Sequence, residues 1–259
     1  MPPSREAAMT SDRPRALERD PADLLRVDGA DALDLFHRIA AGDVRAIEEG
    51  SFGVVVFTDD KGRTIDAPVV HRRGDHLALI CGPTRGPGTR AWIEKCVIME
   101  DVVVGPLGER VVEILAEDPR EASSFVVGAD TTPFETIALD TWRRHFVDAG
   151  VVVAGPALAA GPNPLEIDWH DRIGWTKGCY IGQEVVARLD TYDKVKRRPG
   201  VVEFAGEAES GTALRLGRKK VGVVLDALDG RALAVIDKTV DDGAEVEVDD
   251  AGPGRVRLP

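Results

Sequence analysis

The most informative stretch of the chain is residues 175–184, W-T-K-G-C-Y-I-G-Q-E. It brings a thiol, an ammonium group, a phenol, an amide and a carboxylate together, a mixture that no packing rule requires. Gly178 and Gly182 flank its centre, and glycine lets a backbone turn tightly or approach a ligand closely. The residues that follow, E-V-V-A-R-L, predict a short helix that starts at Gln183 and has Gly182 as its cap. The stretch therefore predicts a turn that leads into a helix.

Cys179 lies just before the start of that helix, and Lys177 lies two residues upstream. A helix N-terminus and a nearby cation are two settings that lower the pKa of a thiol, so a reactive cysteine is one interpretation. The other interpretation is that the glycines serve a turn and that Cys179 is a small buried apolar residue. In that case Lys177 and Glu184 are solvated.

Working outward, the composition is that of an ordinary water-soluble globular protein. The 259 residues are 43% hydrophobic and 30% charged, which is long enough for two or three lobes. The formal net charge is -12, from 45 acidic and 33 basic residues. This balance argues against nucleic acid or an anionic membrane as a partner, because such surfaces need clustered positive charge.

Three cysteines without a C-x-x-C pair predict neither a disulfide framework nor a structural zinc site. No apolar run approaches the ~20 residues of a membrane-spanning helix, and the first residues lack the apolar core of a signal peptide. We therefore expect a cytoplasmic protein that does not associate with membranes. The histidines show no metal-ligand spacing and predict no metal site: His37, His71, His76, His145 and His170.

The pattern of apolar residues divides the chain into segments. Residues 1–22 are rich in Arg, Asp, Ala and Pro and predict a mobile tail. A strand at 23–27 precedes a helix whose apolar face recurs at helical spacing: Ala32, Leu35, Phe36 and Ile39. Next we expect a hairpin of strands 52–57 and 64–71, a strand at 76–81 and a helix at 89–97. Further on, the pattern predicts a strand pair at 102–104 and 110–115, helices near 119–127 and 141–149, and a strand near 134–139.

The last third of the chain is rich in short strands after a Gly, Ala and Pro connector at 155–164. The expected strands are 201–204, 213–216, 221–225, 232–236, 245–248 and 255–258. Strands spaced this closely, with Gly between them, predict a small β-barrel.

K-G-C-Y-I-G-Q-E, followed by V-V-A-R and then K-V-K-R-R, resembles the signature of the YgfZ-type folate-binding proteins. These are relatives of the aminomethyltransferase, or T-protein, of the glycine cleavage system. L-R-V-D-G-A-D-A-L-D-L-F and D-D-K-G-R-T-I-D-A are similar to the opening strand and helix and the first hairpin of that family. The chain departs from the family pattern within residues 37–44, where Ala41 and Gly42 stand in place of a Thr and an Asn or Gln.

The resemblance implies an α+β fold with two α+β lobes and a small C-terminal β-barrel, arranged around a central folate-type pocket. The segments are then a tail at 1–22, a first lobe at 23–105, a second lobe with the motif at 106–193, and the barrel at 194–259.

The resemblance also implies which residues bind the pterin ring of a folate. Glu166 stands in P-L-E-I-D-W, which is similar to the segment where T-proteins place a pterin-binding Glu. A carboxylate can accept two hydrogen bonds from the amino group and ring N-H of a pterin. The alternative is that Glu166 belongs to the first turn of a helix that starts after Pro164.

Two further groups of residues suit parts of a folate. The rings of Trp169, Trp175 and Tyr180 could stack on a pterin or benzoyl group, or could be core anchors. The densest basic run could bind the carboxylates of a folate tail, or could be a solvated face at the barrel entry: Lys194, Lys196, Arg197 and Arg198.

Together these features predict a tetrahydrofolate-binding accessory protein, a monomer that supports the assembly or repair of iron–sulfur clusters in client enzymes. Cys179 is then the functional thiol and Glu166 holds the pterin. The other expected folate-site residues are Trp175, Lys177, Tyr180, Gln183, Glu184 and Arg188. Two alternatives remain: a folate-dependent aminomethyltransferase, although T-proteins lack the cysteine-containing motif, and a scaffold without a ligand. Expected partners are folate and iron–sulfur client or assembly proteins.

Overall fold

The computed structural model describes residues 13–128 and 133–259. In this part of the chain there are seventeen strands and four α-helices, so the fold is mixed α+β. The first elements along the chain are β1 (Arg15–Glu18), β2 (Leu24–Asp28), α1 (Ala32–Ile39), β3 (Phe52–Val54), β4 (Phe57–Thr58), β5 (Thr64–Asp66), β6 (Val69–Arg72), β7 (Leu77–Ile80), α2 (Gly86–Cys96) and β8 (Val103–Pro106).

The remaining elements are β9 (Val111–Ile114), β10 (Ser124–Val127), β11 (Glu135–Thr136), α3 (Leu139–Ala149), α4 (Gln183–Thr191), β12 (Arg197–Phe204), β13 (Ala213–Leu216), β14 (Lys219–Leu228), β15 (Arg231–Asp237), β16 (Glu245–Val248) and β17 (Gly252–Arg257). Short 3-10 helices connect several of them, including Pro164–Ile167 and His170–Arg172.

The first lobe is a five-stranded sheet, in the order β3-β6-β7-β2-β8, with α1 and α2 packed on it. All four apolar residues that the helical spacing assigns to the core face of α1 are buried, which confirms that prediction. The expected hairpin and third strand are also confirmed, since β4 pairs with β5, β3 with β6, and β6 with β7.

The second lobe is a four-stranded sheet, in the order β10-β9-β1-β11, with α3 beside it. The prediction of a mobile tail at 1–22 is wrong from residue 15 onward, because β1 lies inside this sheet between β9 and β11. Its Ala16 and Leu17 are buried, so this strand is held by tertiary pairing and not by a strong local pattern. Residues 1–12 lie outside the described part of the chain.

Two other predictions about the strands and helices of the two lobes are wrong. The segment near 119–127 is not a helix, because β10 pairs antiparallel with β9 from Ser124 to Val127 and a turn precedes it. The expected strand pair of 102–104 with 110–115 does not form either, since β8 pairs with β2 and β9 pairs with β1 and β10.

The C-terminal strands form a closed six-stranded barrel, in the order β12-β15-β14-β13-β16-β17. Every strand predicted for this region is found, and β13 and β16 match the expected bounds. Its interior is filled by small apolar side chains, among them Val202, Leu214, Val224, Ala234 and Val248. The packed interior leaves no lumen for a ligand, as in other small barrels.

Ion pairs fasten α3 to the barrel. Arg143 donates to both carboxylate oxygens of Asp226, at 3.1 and 2.6 Å, and to the carbonyl oxygen of Ala227. Arg231 pairs with Asp148 at 2.9 Å. Because Asp226 is buried, the contact with Arg143 is worth more than an exposed pair. Among the residues with described positions, no helix is long and apolar enough to cross a membrane.

Candidate functional site

Residues 175–184, called the motif turn below, pack against the β4–β5 hairpin. The hydroxyl of Thr58 donates to the carbonyl oxygen of Ile181 at 2.5 Å. Gly182 caps α4, as predicted, with a φ of +85°, and an added Cβ would lie 2.4 Å from the carbonyl oxygen of Asp59. Only glycine tolerates both the left-handed backbone and this approach. The hairpin and the start of α4 therefore fix the turn from both sides.

Cys179 is exposed on the motif turn, whereas the other two cysteines are more enclosed. Burial raises the pKa of the Cys81 thiol well above its ordinary value, and the nearby Asp66 and Asp23 carboxylates add to the rise. Burial also raises the pKa of Cys96. The interpretation of Cys179 as a small buried residue is therefore wrong, and its thiol is the most accessible in the chain.

Lys177 does not point into solvent. Its ammonium donates to the carbonyl oxygens of His37, at 2.5 Å, of Gly42, at 3.2 Å, and of Ala40. It also lies 5.4 Å from the centre of the Tyr180 ring. Burial lowers the pKa of Lys177 to about 8. The ammonium therefore ties the motif turn to the C-terminal end of α1, and the interpretation of Lys177 as a solvated side chain is wrong.

The aromatic rings near the motif turn differ in exposure. Trp169 is buried and its indole N-H donates to the carbonyl oxygen of Val152 at 3.1 Å. Tyr180 is buried too, and burial raises its pKa to about 12. Its hydroxyl has no hydrogen-bond partner among the described residues. Trp175 is exposed and packs on His170, with ring centres 4.7 Å apart. Trp169 is thus a core anchor, as one of its two interpretations expected.

The remaining predicted residues lie on α4 or next to it. Gln183, the first residue of the helix, is half-buried, whereas Glu184 and Arg188 are exposed. Glu166 forms a capping box with Asn163 at the start of Pro164–Ile167: its carboxylate accepts from the Asn163 N-H at 3.3 Å. This geometry is the helix-start alternative that the sequence left open.

The basic side chains at the barrel entry contact other residues of the protein. Arg197 lies 3.7 Å from the carboxylate of Glu166, and Arg198 donates to the carbonyl oxygen of Val240 at 3.0 Å. The Lys194 ammonium lies 5.2 Å from the centre of the Tyr192 ring. Two of the four basic side chains therefore hold the barrel and the Glu166 cap together.

A cavity of about 300 Å³ lies between the two sheets and is called the inter-sheet cavity below. Its walls come from both lobes and from the segment that leads into the motif turn. Its lining includes Arg19, Cys81, Glu113, Arg120, Trp142 and Arg172. This volume is at the lower end of the range, about 300 to 1,000 Å³, of small-molecule pockets. None of the eight site residues predicted from the sequence lines it.

The deep end of the inter-sheet cavity carries a buried ion pair. The guanidinium of Arg19 donates to the Glu113 carboxylate at 2.7 Å, and the two side chains are 4% and 5% exposed. Arg19 also donates to the carbonyl oxygen of Cys81. Two buried nitrogens here, Nε of Arg19 and Nε1 of Trp142, have no hydrogen-bond partner among the described residues. Unpaired buried donors are costly. Both belong to residues that line the cavity, and both nitrogens are themselves enclosed by the protein.

The open end of the cavity carries two arginines, Arg120 and Arg172, and two exposed carboxylates, Glu121 and Asp171. Arg120 is exposed and lies 3.8 Å from Asp118. Arg172 is partly buried, with its guanidinium carbon 4.4 Å from the centre of the Trp169 ring. Burial lowers the pKa of Arg172 from its ordinary value, although arginine stays protonated in proteins. The cavity thus runs from a buried ion pair to a mouth of mixed charge, in which Arg172 is the partly buried cation.

A larger open groove, of about 780 Å³, lies on the barrel loops. Its walls include several carboxylates: Glu207, Glu209, Asp229, Asp249 and Asp250. Like charges repel the carboxylates of a folate, so size alone does not make this groove the better site. No group of three or more metal-ligating side chains was found in the part of the chain that the structure describes.

Sequence reasoning missed the cavity residues because they are far apart in the chain. Arg19 falls within the stretch that the composition assigns to a mobile tail, and Glu113 is the single charged residue of β9. Only Arg172 carried a usable signal: it lies three residues after Trp169, a spacing that brings a cation onto an aromatic ring in a helical turn.

The chain matches no protein-family profile. A chloroplast transferase of Arabidopsis thaliana is 32% identical over 90 residues, which are 35% of this chain and 21% of that protein. An aminomethyltransferase of Halalkalibacterium halodurans is 27% identical over 108 residues, covering 37% of this chain and 30% of the relative. The chain therefore spans less than a third of the length of either relative.

The fold is similar to that of the glycine cleavage system aminomethyltransferase T from Bartonella henselae. The crystal structure of that protein superposes with a TM-score of 0.70 over 96% of this chain and 86% of the other, at 13% identity. The expected α+β fold with a closed barrel is thus confirmed at the level of architecture.

Proposed function

We propose that this protein binds a reduced folate in the inter-sheet cavity and supports the assembly or repair of iron–sulfur clusters in particular enzymes. The observation that carries the folate half of the proposal is the set of unpaired buried donors, Nε of Arg19 and Nε1 of Trp142, beside the Glu113 carboxylate. The resemblance of K-G-C-Y-I-G-Q-E to the YgfZ-type signature supports the cluster half.

The chemistry of a pterin suits the deep end of the inter-sheet cavity. Its amino group and ring N-H are donors that a carboxylate such as Glu113 can accept, and its ring carbonyl is an acceptor for Arg19 and Trp142. The side chains of Phe125, Trp142 and Phe146 supply apolar and aromatic walls for the flat ring. In this proposal Glu113 takes the role that the sequence assigned to Glu166.

Cys179 supplies the functional thiol of the proposal. It is exposed, and the turn that carries it is held by Thr58 and Lys177. One thiol does not hold a cluster, because iron–sulfur clusters take several cysteine ligands. The thiol must therefore act together with ligands that a client or assembly protein provides.

One-carbon transfer is the second candidate function. It is favoured by the aminomethyltransferase among the relatives and by the architecture shared with aminomethyltransferase T. A scaffold without a ligand is the third, and the cavity lined by Arg19, Glu113 and Trp142 argues against it.

The test is a titration of the purified protein with tetrahydrofolate under anaerobic conditions, followed by an aminomethyl-transfer assay. We expect saturable binding and no transfer. Binding with transfer would establish the one-carbon function instead. If the protein bound no tetrahydrofolate at millimolar concentration, the function as a scaffold without a ligand would be supported.

A further inference from the structure

Arg172 is a cation without an anion. Its guanidinium lies over the ring of Trp169, and none of the described residues gives it a hydrogen bond or an ion pair. Asp171, the next residue in the chain, acts on it only at longer range. Arg120, at the same mouth, has Asp118 nearby. A partly buried, unpaired guanidinium loses hydration without a compensating partner, which is unfavourable unless a ligand supplies the anion.

The fold holds Arg172 at this position through its neighbours. Trp169, on which it stacks, is fixed by the hydrogen bond from its indole N-H to Val152. The backbone of Arg172 lies close to Gly42, where an added Cβ would be 3.3 Å from the Arg172 carbonyl oxygen. The guanidinium therefore has a defined place at the mouth of the inter-sheet cavity, and a fixed guanidinium suits a carboxylate through two parallel hydrogen bonds.

We infer that Arg172 anchors the anionic tail of the ligand whose ring occupies the deep end of the inter-sheet cavity. The inference rests on the proposed folate binding and adds the direction in which the ligand lies. A cavity of about 300 Å³ encloses a bicyclic ring and leaves the tail at the mouth. The carboxylate tail thus meets Arg172. Arg197 and Arg198 instead make contacts within the protein, with Glu166 and Val240.

The test compares three ligands with wild type and three variants. The ligands are tetrahydrofolate, 6-methyltetrahydropterin, which lacks the tail, and p-aminobenzoylglutamate, which lacks the pterin. The variants are Arg172→Gln, Arg172→Lys and the control Arg120→Gln at the same mouth. Near-ultraviolet circular dichroism and thermal unfolding establish that each variant is folded.

We expect Arg172→Gln to weaken tetrahydrofolate binding roughly ten- to a hundredfold and to leave 6-methyltetrahydropterin unaffected. Arg172→Lys should recover part of the loss, because it keeps the charge but not the planar fork. Arg120→Gln should bind tetrahydrofolate like wild type.

Equal losses for tetrahydrofolate and 6-methyltetrahydropterin would overturn the inference, since Arg172 would then act only through the shape of the cavity. Unchanged affinity in Arg172→Gln, or the same selective loss in Arg120→Gln, would also overturn it. If wild type bound p-aminobenzoylglutamate through Arg172 but bound no pterin, the anchor would stand and the folate function would fail. If wild type bound none of the three ligands, both the Arg172 anchor and the proposed folate binding would be wrong.

Discussion

The motif turn and the inter-sheet cavity carry similar chemical groups but differ in how the chain assembles them. The turn places Lys177, Cys179 and Tyr180 within four consecutive residues, and its thiol is exposed. The cavity takes Arg19, Glu113 and other residues from positions far apart, and its ion pair is almost completely buried. The ion pair of the cavity is therefore part of the core, whereas the thiol of the turn can change without loss of packing.

The largest expected effect comes from breaking the ion pair of the cavity. Arg19→Ala leaves Glu113 as a buried charge without its partner, and such changes cost about 3 to 5 kcal/mol of the free energy of unfolding. Urea denaturation measures the loss. The control is Arg144→Ala, which removes an exposed pair with Asp229 and should cost about 1 kcal/mol or less.

The double variant Arg19→Met/Glu113→Leu sharpens the same comparison. Apolar replacement of both partners of a buried pair is often neutral or stabilising, so we expect most of the lost stability to return. Tetrahydrofolate binding should not return, because the groups proposed to hold the pterin are gone. A double variant that still binds the folate would show that the deep end of the cavity is not the pterin site.

The next effect tests how the motif turn is held. Lys177→Met leaves the carbonyl oxygens of His37, Ala40 and Gly42 without their donor, which should cost about 1 to 3 kcal/mol. Burial lowers the pKa of Lys177 to about 8 from 10.5, so above pH 8 the unfolded chain binds more protons at this site than the folded one.

Since stability rises with pH wherever the unfolded state binds more protons, wild type should gain stability relative to Lys177→Met above pH 8. The comparison is made below pH 10, because tyrosines of the unfolded chain begin to ionise at about pH 10. Denaturation at several pH values measures the difference, and a gap that narrows over this range would contradict the pKa shift.

Features set by local residue spacing could be predicted from the sequence, whereas features set by contacts between distant segments could not. The apolar face of α1 and the strands β13 and β16 were predicted correctly because their spacing is a local property. The N-terminal strand β1 was missed because pairing with β9 and β11 holds it. Residues near 119–127 contain helix-forming Glu and Ala, but the second half of this segment pairs with β9 as strand β10.

The candidate site divides in the same way. The cap at Gly182 follows from a contiguous motif that the sequence displays. The exposure of Cys179 did not, since the sequence left a buried and a reactive cysteine both open. The direction of the Lys177 side chain could not be read, because its carbonyl partners lie about 140 residues earlier in the chain. Arg19 and Glu113 are 94 residues apart, and no local pattern marks them as partners.

A smaller effect separates two roles for Glu166. Glu166→Ala removes the side chain that accepts from Asn163 in the capping box, and loss of a cap costs about 1 kcal/mol. Glu166→Gln keeps the cap, since Gln also serves at this position of a capping box. We expect Glu166→Gln to keep both stability and tetrahydrofolate affinity. A tenfold or greater loss of affinity at full stability would restore Glu166 as the pterin ligand.

The smallest effect on stability, and the sharpest on function, is expected for Cys179→Ser. An exposed side chain of almost the same shape should change the free energy of unfolding by about 0.5 kcal/mol or less. A serine hydroxyl stays protonated at neutral pH and does not replace a thiol as nucleophile or metal ligand. In a strain that lacks this protein, the variant should therefore restore much less iron–sulfur enzyme activity per unit of soluble protein than wild type.

Cys81→Ser is the matched control for this last prediction. Cys81 is fully buried, so a hydroxyl there should lower stability, and any loss of rescue should follow the amount of folded protein. Labelling of wild type with an alkylating probe should modify Cys179 first, because Cys81 is enclosed and burial raises its pKa. If Cys179→Ser rescued fully at equal abundance, the thiol would have no part in the function, and folate binding in the inter-sheet cavity would have to account for it alone.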